Sequence, residues 1–413
     1  MIKRHPEDFF VEEVLAPETI SLISGKTDAC GSFALYRLTK RSLGTDEALE
    51  QVAGRLGLPP GRLCYGGLKD RHALTVQYIS VDLPRGGAGP IPGPVETPRW
   101  KLEPVGRLKR PVSSRDVAGN RFRITVRDLT RRQCEGMAGA RRFLSLPAPR
   151  GGRTLLLANY YGDQRFGSAR HGLGFAARRL IEGDFEEALR LLVAIPDRKD
   201  SRERKAVKRT IAAGWGHWSE LARVLPPSPE RIVAACLAKT GGDFRAGFSA
   251  LPHFVKQIAI EAYQSRLWNE IARRLIMRRC PPPLLKAPAR SGDFVFPSPA
   301  SVGAELACTG IPLVSPLTAL REPWRDAAEA VLAEEGIALK DLRVPGMRTP
   351  YFGEVPRRLF VEALEFSLGP VEADDSAEGA RKLKRRVRFF LPRGAYGTVL
   401  LGALGAEDQS ILR

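Results

Sequence analysis

The chain reads as an α+β protein whose strand-forming ends enclose a helical middle. Three observations carry that reading. Period-two alternation marks strands at 32–39, 74–81 and 121–127 and returns at 385–404. Helical periodicity dominates from about 168, as in 184–195 and 254–279. A length of 413 residues is enough for about two domains. Together they predict one discontinuous α+β domain, 1–184 plus 356–413, interrupted by a helix-rich insertion at 185–355.

The elements follow in order. SFALYRLT, from Ser32 to Thr39, reads as a strand. Thr45 is expected to cap a helix: Asp46 and Glu47 suit its positive end, and Leu49, Val52, Ala53 and Leu56 keep helical spacing. Gly57 and Pro59-Pro60 end it. Residues 66–77, GGLKDRHALTVQ, come next. Gly66 and Gly67 permit a tight turn or a close backbone approach. Leu74, Val76 and Tyr78 then fall on one face of a strand, with Thr75, Gln77 and Ile79 on the other. Asp70 therefore sits on a connection held by a rigid element, where reactive side chains are often presented. Its bland reading is a solvated turn residue loosely paired with Lys69 or Arg71. Residues 84–98 are a Pro/Gly-rich loop. RFRITVR, 121–127, alternates with Phe122, Ile124 and Val126 inward. At the C-terminal end, 385–404 reads as strands around the turn Pro392-Arg393-Gly394.

Composition points to the partner. Lys plus Arg number 65 against 46 Asp plus Glu, a net charge of +19, which suits a polyanion such as nucleic acid. Within the middle, the run 197–210 concentrates cations, among them Arg204, Lys205, Lys208 and Arg209. It reads equally as a solvated helix face or as a phosphate-contact surface. No apolar run is long enough to span a bilayer, and MIKRHPEDFF lacks the apolar core of a signal peptide. The six cysteines form no CxxC pair, so neither a zinc site nor a disulfide framework is expected, and a cytoplasmic location with reduced thiols is. There is no phosphate loop of the GxxxxGK[ST] kind.

Five segments carry a dense set of polar and aromatic residues: PEDFFVEE (6–13), GGLKDRHALTVQ, GNRF (119–122), NYYGDQRFG (159–167) and LPRGAYGT (391–398). With EAYQSRLWN (261–269) they resemble the motif set of the TruD family of tRNA pseudouridine synthases, in order and over nearly the whole chain. The resemblance implies a pseudouridine synthase core with a mixed, largely antiparallel sheet and a family-specific insertion domain. It implies isomerisation of uridine to pseudouridine in tRNA, at position 13, with no cofactor and no metal, and with tRNA as the partner.

By motif match Asp70 is the catalytic aspartate, acting as nucleophile at C1′ or as base at C2′. An ionised carboxylate calls for a nearby cation, with Lys3 as the expected partner and Lys69 adjacent. Phe9, Asn159, Tyr161 and Tyr396 match residues that hold the extruded base, and Tyr161 and Tyr396 stand where many relatives have Phe. Glu13, Gln164 and Arg165 are expected to brace these loops. Two other readings stay open. One is the same fold acting at another RNA site, and the other is an RNA-binding protein without catalysis.

Overall fold

The computed structural model describes residues 2–25, 31–82, 91–147, 154–167, 172–197, 200–289, 292–376 and 382–406. They fall into two units: 1–157 with 298–300 and 361–413, and 158–297 with 301–360. Parts of the expected 84–98 loop and of the 197–210 run lie outside the described residues.

The first unit is built on one sheet. Its strands are β1 (Phe9–Leu15), β2 (Phe33–Arg41), β3 (Leu63–Tyr65), β4 (Leu74–Asp82), β5 (Val95–Glu96), β6 (Trp100–Leu108), β7 (Val117–Leu129), β8 (Leu155–Ala158), β9 (Phe360–Ala373) and β10 (Leu383–Pro392). They lie in the order β5-β6-β2-β4-β1-β7-β10-β9-β8, with β3 pairing to β4. The register puts β1 parallel to β4, with Val11 beside Thr75. β2 with β4, β1 with β7, β7 with β10 and β9 with β10 run antiparallel. Strands from both ends of the chain therefore close one mixed, largely antiparallel sheet.

Alternation decides which residues share a face. Phe9, Val11 and Glu13 of β1 are buried on one side, while Leu15, past a register shift at Val14/Leu15, packs with Leu35, Leu108 and Val112. Across the registers the same face carries Lys40 and Thr75, Phe122 and Phe389, and Ile124 and Val387. Helix α1 (Thr45–Leu56) covers part of it, burying Ala48, Leu49, Val52 and Ala53 against Tyr36, Leu38, Ile79 and Leu102. Gly57, at φ 67°, ends α1 in the left-handed conformation that a glycine adopts freely. Helix α2 (Arg131–Leu144) begins with a capping box made by Thr130 and Gln133.

Two local expectations are corrected. Thr45 is the first helical residue of α1, not its cap; Gly44 stands at the N-cap, and no side chain caps this end. The stretch after the Pro392-Arg393-Gly394 turn is a helix, α3 (Gly397–Ala403), not a strand. An apolar run of this length suits either state, and Gly397 packs its bare Cα against the Phe122 ring, where a Cβ would come within 3.0 Å.

The second unit is helical around the long helix His253–Arg279. Ala259, Ile260, Tyr263, Leu267, Trp268 and Ile271 are buried along it. The unit also holds two small antiparallel strand pairs: Leu284–Ala287 with Phe294–Pro297, and Gly310–Pro312 with the distant Pro356–Arg358. Among the described residues no helix is long and apolar enough to cross a membrane.

Candidate active site

Asp70 lies on the connection between β3 and β4, and three contacts pin that connection. The Thr45 hydroxyl accepts the Lys69 backbone N–H at 2.9 Å. The Lys40 ammonium donates to the Lys69 carbonyl at 3.3 Å and to the Asp70 carbonyl at 3.0 Å. Just upstream, a Cβ on Gly66 would lie 2.6 Å from Val117 Cγ2, whereas one on Gly67 would meet only Lys69 Nζ at 4.0 Å, an ordinary contact. Of the glycine pair, only Gly66 is required by a close approach.

The carboxylate of Asp70 meets Lys3, with Nζ to Oδ1 at 3.3 Å and both side chains about one-third exposed or less. The same ammonium sits 4.1 Å from the centre of the Phe9 ring. Phe9 itself is 2% exposed and packs edge-on against Phe122. Its ring is thus a buried floor under Lys3 rather than a free stacking surface. Tyr396 is half-buried at the N-terminus of α3, where it accepts the Val399 N–H through its backbone carbonyl.

Lys69 turns away from Asp70. Its Nζ pairs with Glu13 Oε1 at 2.6 Å, and both groups are buried. Glu13 also accepts the Tyr78 backbone N–H at 3.0 Å. That bond falls just past the last paired residues of the β1–β4 ladder. A buried pair of this kind is satisfied only while both partners remain, and removing one strands the other charge.

What holds the Lys3 segment was not evident from spacing. Asp8 receives the His5 N–H at 2.9 Å and Arg127 Nε at 2.9 Å. Arg127 also pairs with Asp374 at 2.8 Å and with Asp375 at 2.7 Å. Burial alone would raise the Asp374 carboxyl, but the Asp128 N–H, Ser376 and Arg127 outweigh it and hold it well below the usual carboxylate range. The acidic start of the 370–388 segment therefore anchors PEDFF to the sheet through Arg127.

The second unit gathers the remaining sites. Asn159 Oδ1 accepts from Arg357 at 2.7 Å, and its Nδ2 donates to the Arg358 carbonyl at 3.1 Å. The Arg357 guanidinium lies 4.0 Å from the centre of the Tyr161 ring, and Trp268 meets that ring edge-on. Asn269 brackets Tyr161 from the long helix, accepting its N–H at 2.8 Å and donating to its carbonyl at 2.9 Å. Arg165 pairs with Glu261 at 2.5 Å and donates to the Ser265 hydroxyl at 3.3 Å. NYYGDQRFG thus docks on EAYQSRLWN, and Arg357 joins it to the Pro356–Arg358 strand.

Lys208 requires a correction. It is 1% exposed, and its ammonium pairs with Asp200 at 2.7 Å, so its charge is not presented to a phosphate. Arg204 and Arg209 are exposed on the helix Arg202–Ala213, and Lys205 is half-buried there. Among the described residues no group of three or more His, Cys, Asp or Glu is placed to hold a metal ion.

The architecture has close counterparts among known proteins. A solved Methanosarcina mazei chain, described as a "Putative tRNA pseudouridine synthase D (TruD)", superposes with a TM-score of 0.66 at 22% identity, covering 98% of this chain and 93% of that one. The fold is that of a pseudouridine synthase. The family model for tRNA pseudouridine synthase D (TruD) matches residues 1–403, and the chain belongs to that family. Among relatives, a "Probable tRNA pseudouridine synthase D" of Pyrobaculum arsenaticum is 30% identical over 415 residues, covering 97% of this chain and 91% of its own. The tRNA pseudouridine synthase D of Aquifex aeolicus is 28% identical over 420 residues, covering 98% of both.

Proposed function

We propose that this chain converts uridine 13 of tRNA to pseudouridine, with Asp70 as the reacting carboxylate. The observation that carries the reading is the Lys3–Asp70 pair at 3.3 Å, on a segment whose peptide groups are tied down on both sides of Asp70. The reaction breaks the N1–C1′ bond, turns the uracil, and joins C5 to C1′; the proton lost from C5 is balanced by one gained at N1. Asp70 serves it by adding to C1′ or by taking the proton from C2′. Lys3 offsets the carboxylate charge beside the ribose.

The base is held out of its stack during the turn. Tyr396 supplies an aromatic ring, and Phe9 supports Lys3 from below. Asn159 keeps one N–H and one lone pair beyond its bonds to Arg357 and Arg358, which suits the donor–acceptor edge of uracil. Tyr161 keeps the 159–167 segment in place through Arg357 and Asn269. Arg204, Lys205 and Arg209 contact phosphates of the tRNA backbone, consistent with the chain's net charge of +19.

The test is a pseudouridine map of unmodified tRNA incubated with the protein. Conversion at position 13 is expected. Conversion elsewhere would overturn the position and keep the reaction. No conversion on tRNA that the protein binds would favour a binding role without catalysis.

A further inference from the structure

Lys40 is the most deeply buried cation near the candidate site. It is the penultimate residue of β2 on the covered face of the sheet, opposite Thr75 of β4 and Trp100 of β6, and is 0% exposed. Its ammonium has three N–H donors and three acceptors: the carbonyls of Leu43 at 2.7 Å, Asp70 at 3.0 Å and Lys69 at 3.3 Å. Among the described residues no carboxylate forms an ion pair with it. An apolar side chain would fill the same place without the cost of burying a charge. A lysine here is explained by what its donors hold.

Two of those carbonyls are consecutive. When the oxygens of Lys69 and Asp70 both point at one ammonium, the peptide planes on either side of the Asp70 Cα are fixed. That fixes the Cα–Cβ direction of Asp70, and the pair with Lys3 selects the rotamer of its carboxylate. We propose that Lys40 is a positioning residue for the isomerisation, holding the 69–70 backbone so that the Asp70 carboxylate meets the ribose. The inference rests on Asp70 being the reacting group.

The proton on Lys40 then matters. Burial pushes its ammonium down to about 8, with Asp70 opposing the shift and Lys69 and Arg71 adding to it. The groups around it are few. The 66–73 segment brings Lys69, Asp70, Arg71 and the exposed His72. From α1 comes Glu47, already paired with Arg71 and Arg99. β4 and β6 bring the neutral Thr75 and Trp100 at its register positions. Losing the proton removes one donor and the charge, and the segment loosens while the tRNA-binding surface does not change.

The experiment follows single-turnover pseudouridine formation and tRNA affinity from pH 6.5 to 9.5 in the wild type, Lys40→Met and Asp70→Asn, with folding checked by circular dichroism. We expect the wild-type rate to fall above about pH 8 at constant affinity. Folded Lys40→Met should bind tRNA normally and react roughly 100-fold more slowly at pH 7, the scale of a small misplacement of a reacting group. A folded Lys40→Met that reacts at the wild-type rate would overturn the proposal. If that variant does not fold, the wild-type profile decides, and a flat profile through pH 9 overturns it. Substantial turnover by Asp70→Asn would instead refute the role of Asp70, a failure separate from that of Lys40.

Discussion

Lys3 Nζ stands 3.3 Å from Asp70 Oδ1, joining the segment before β1 to the connection before β4. β1 and β4 are parallel neighbours, so both groups emerge at the same end of two adjacent strands. Neither residue's own segment explains the pair. The Lys3 side is anchored through Asp8 and Arg127, and the Asp70 side through Thr45 and Lys40.

Lys3→Gln should separate chemistry from stability. The pair is partly exposed, so its loss should cost less than about 1 kcal/mol of stability. The reaction should slow by roughly 100-fold, the lower end of the range seen on removing one charge-stabilising group from a site. Thermal melts and single-turnover assays of the same preparation check both.

The two glycines before Asp70 should differ sharply. Gly66→Ala places a methyl 2.6 Å from Val117 and 3.4 Å from Glu13, so it should shift the segment and cost about 1–3 kcal/mol. Gly67→Ala makes only an ordinary contact, with Lys69 Nζ at 4.0 Å, and should leave both melting temperature and rate near wild type. Equal effects in the two variants would mean that the close approach of Gly66 does not matter.

Acid should weaken the Lys3 anchor. Asp374 is held below its ordinary value, as is Asp116, where bonds from Arg110, Ser113 and Thr19 outweigh burial. A carboxyl depressed in the folded state contributes stability that is complete above its unfolded value, about 3.9. That stability is lost as pH falls through the lower folded value. Asp374→Asn should therefore flatten the loss of stability below about pH 4. Urea melts from pH 3 to 6 measure it.

Much of the sheet was legible because alternation reports burial directly. Phe122, Ile124 and Val126 point inward as their spacing says, whereas in the central Leu74–Asp82 strand Thr75 and Gln77 are fully buried and Leu74 and Tyr78 only half-buried, so alternation marks the strand but not its buried face. The C-terminal helix was not, because LLGAL is apolar in any state and its role is set by contact with Phe122. Within the candidate site, residues inside long motifs were visible. Lys40 and Arg357 were not: a lysine near the end of a strand and an arginine in PRRLF both read as solvated surface. Only the folded chain reveals that one gathers three carbonyls and the other spans Asn159 and Tyr161. Lys208 shows the converse, a residue of a cationic run whose charge is spent internally on Asp200.

The most direct test is tritium release from tRNA labelled at C5 of uridine, comparing the wild type with Asp70→Asn at equal tRNA occupancy. Forming the C5–C1′ bond expels that hydrogen, so release counts turnovers. The account expects release by the wild type and none above background by Asp70→Asn, with tRNA binding retained. Comparable release from both proteins would contradict it.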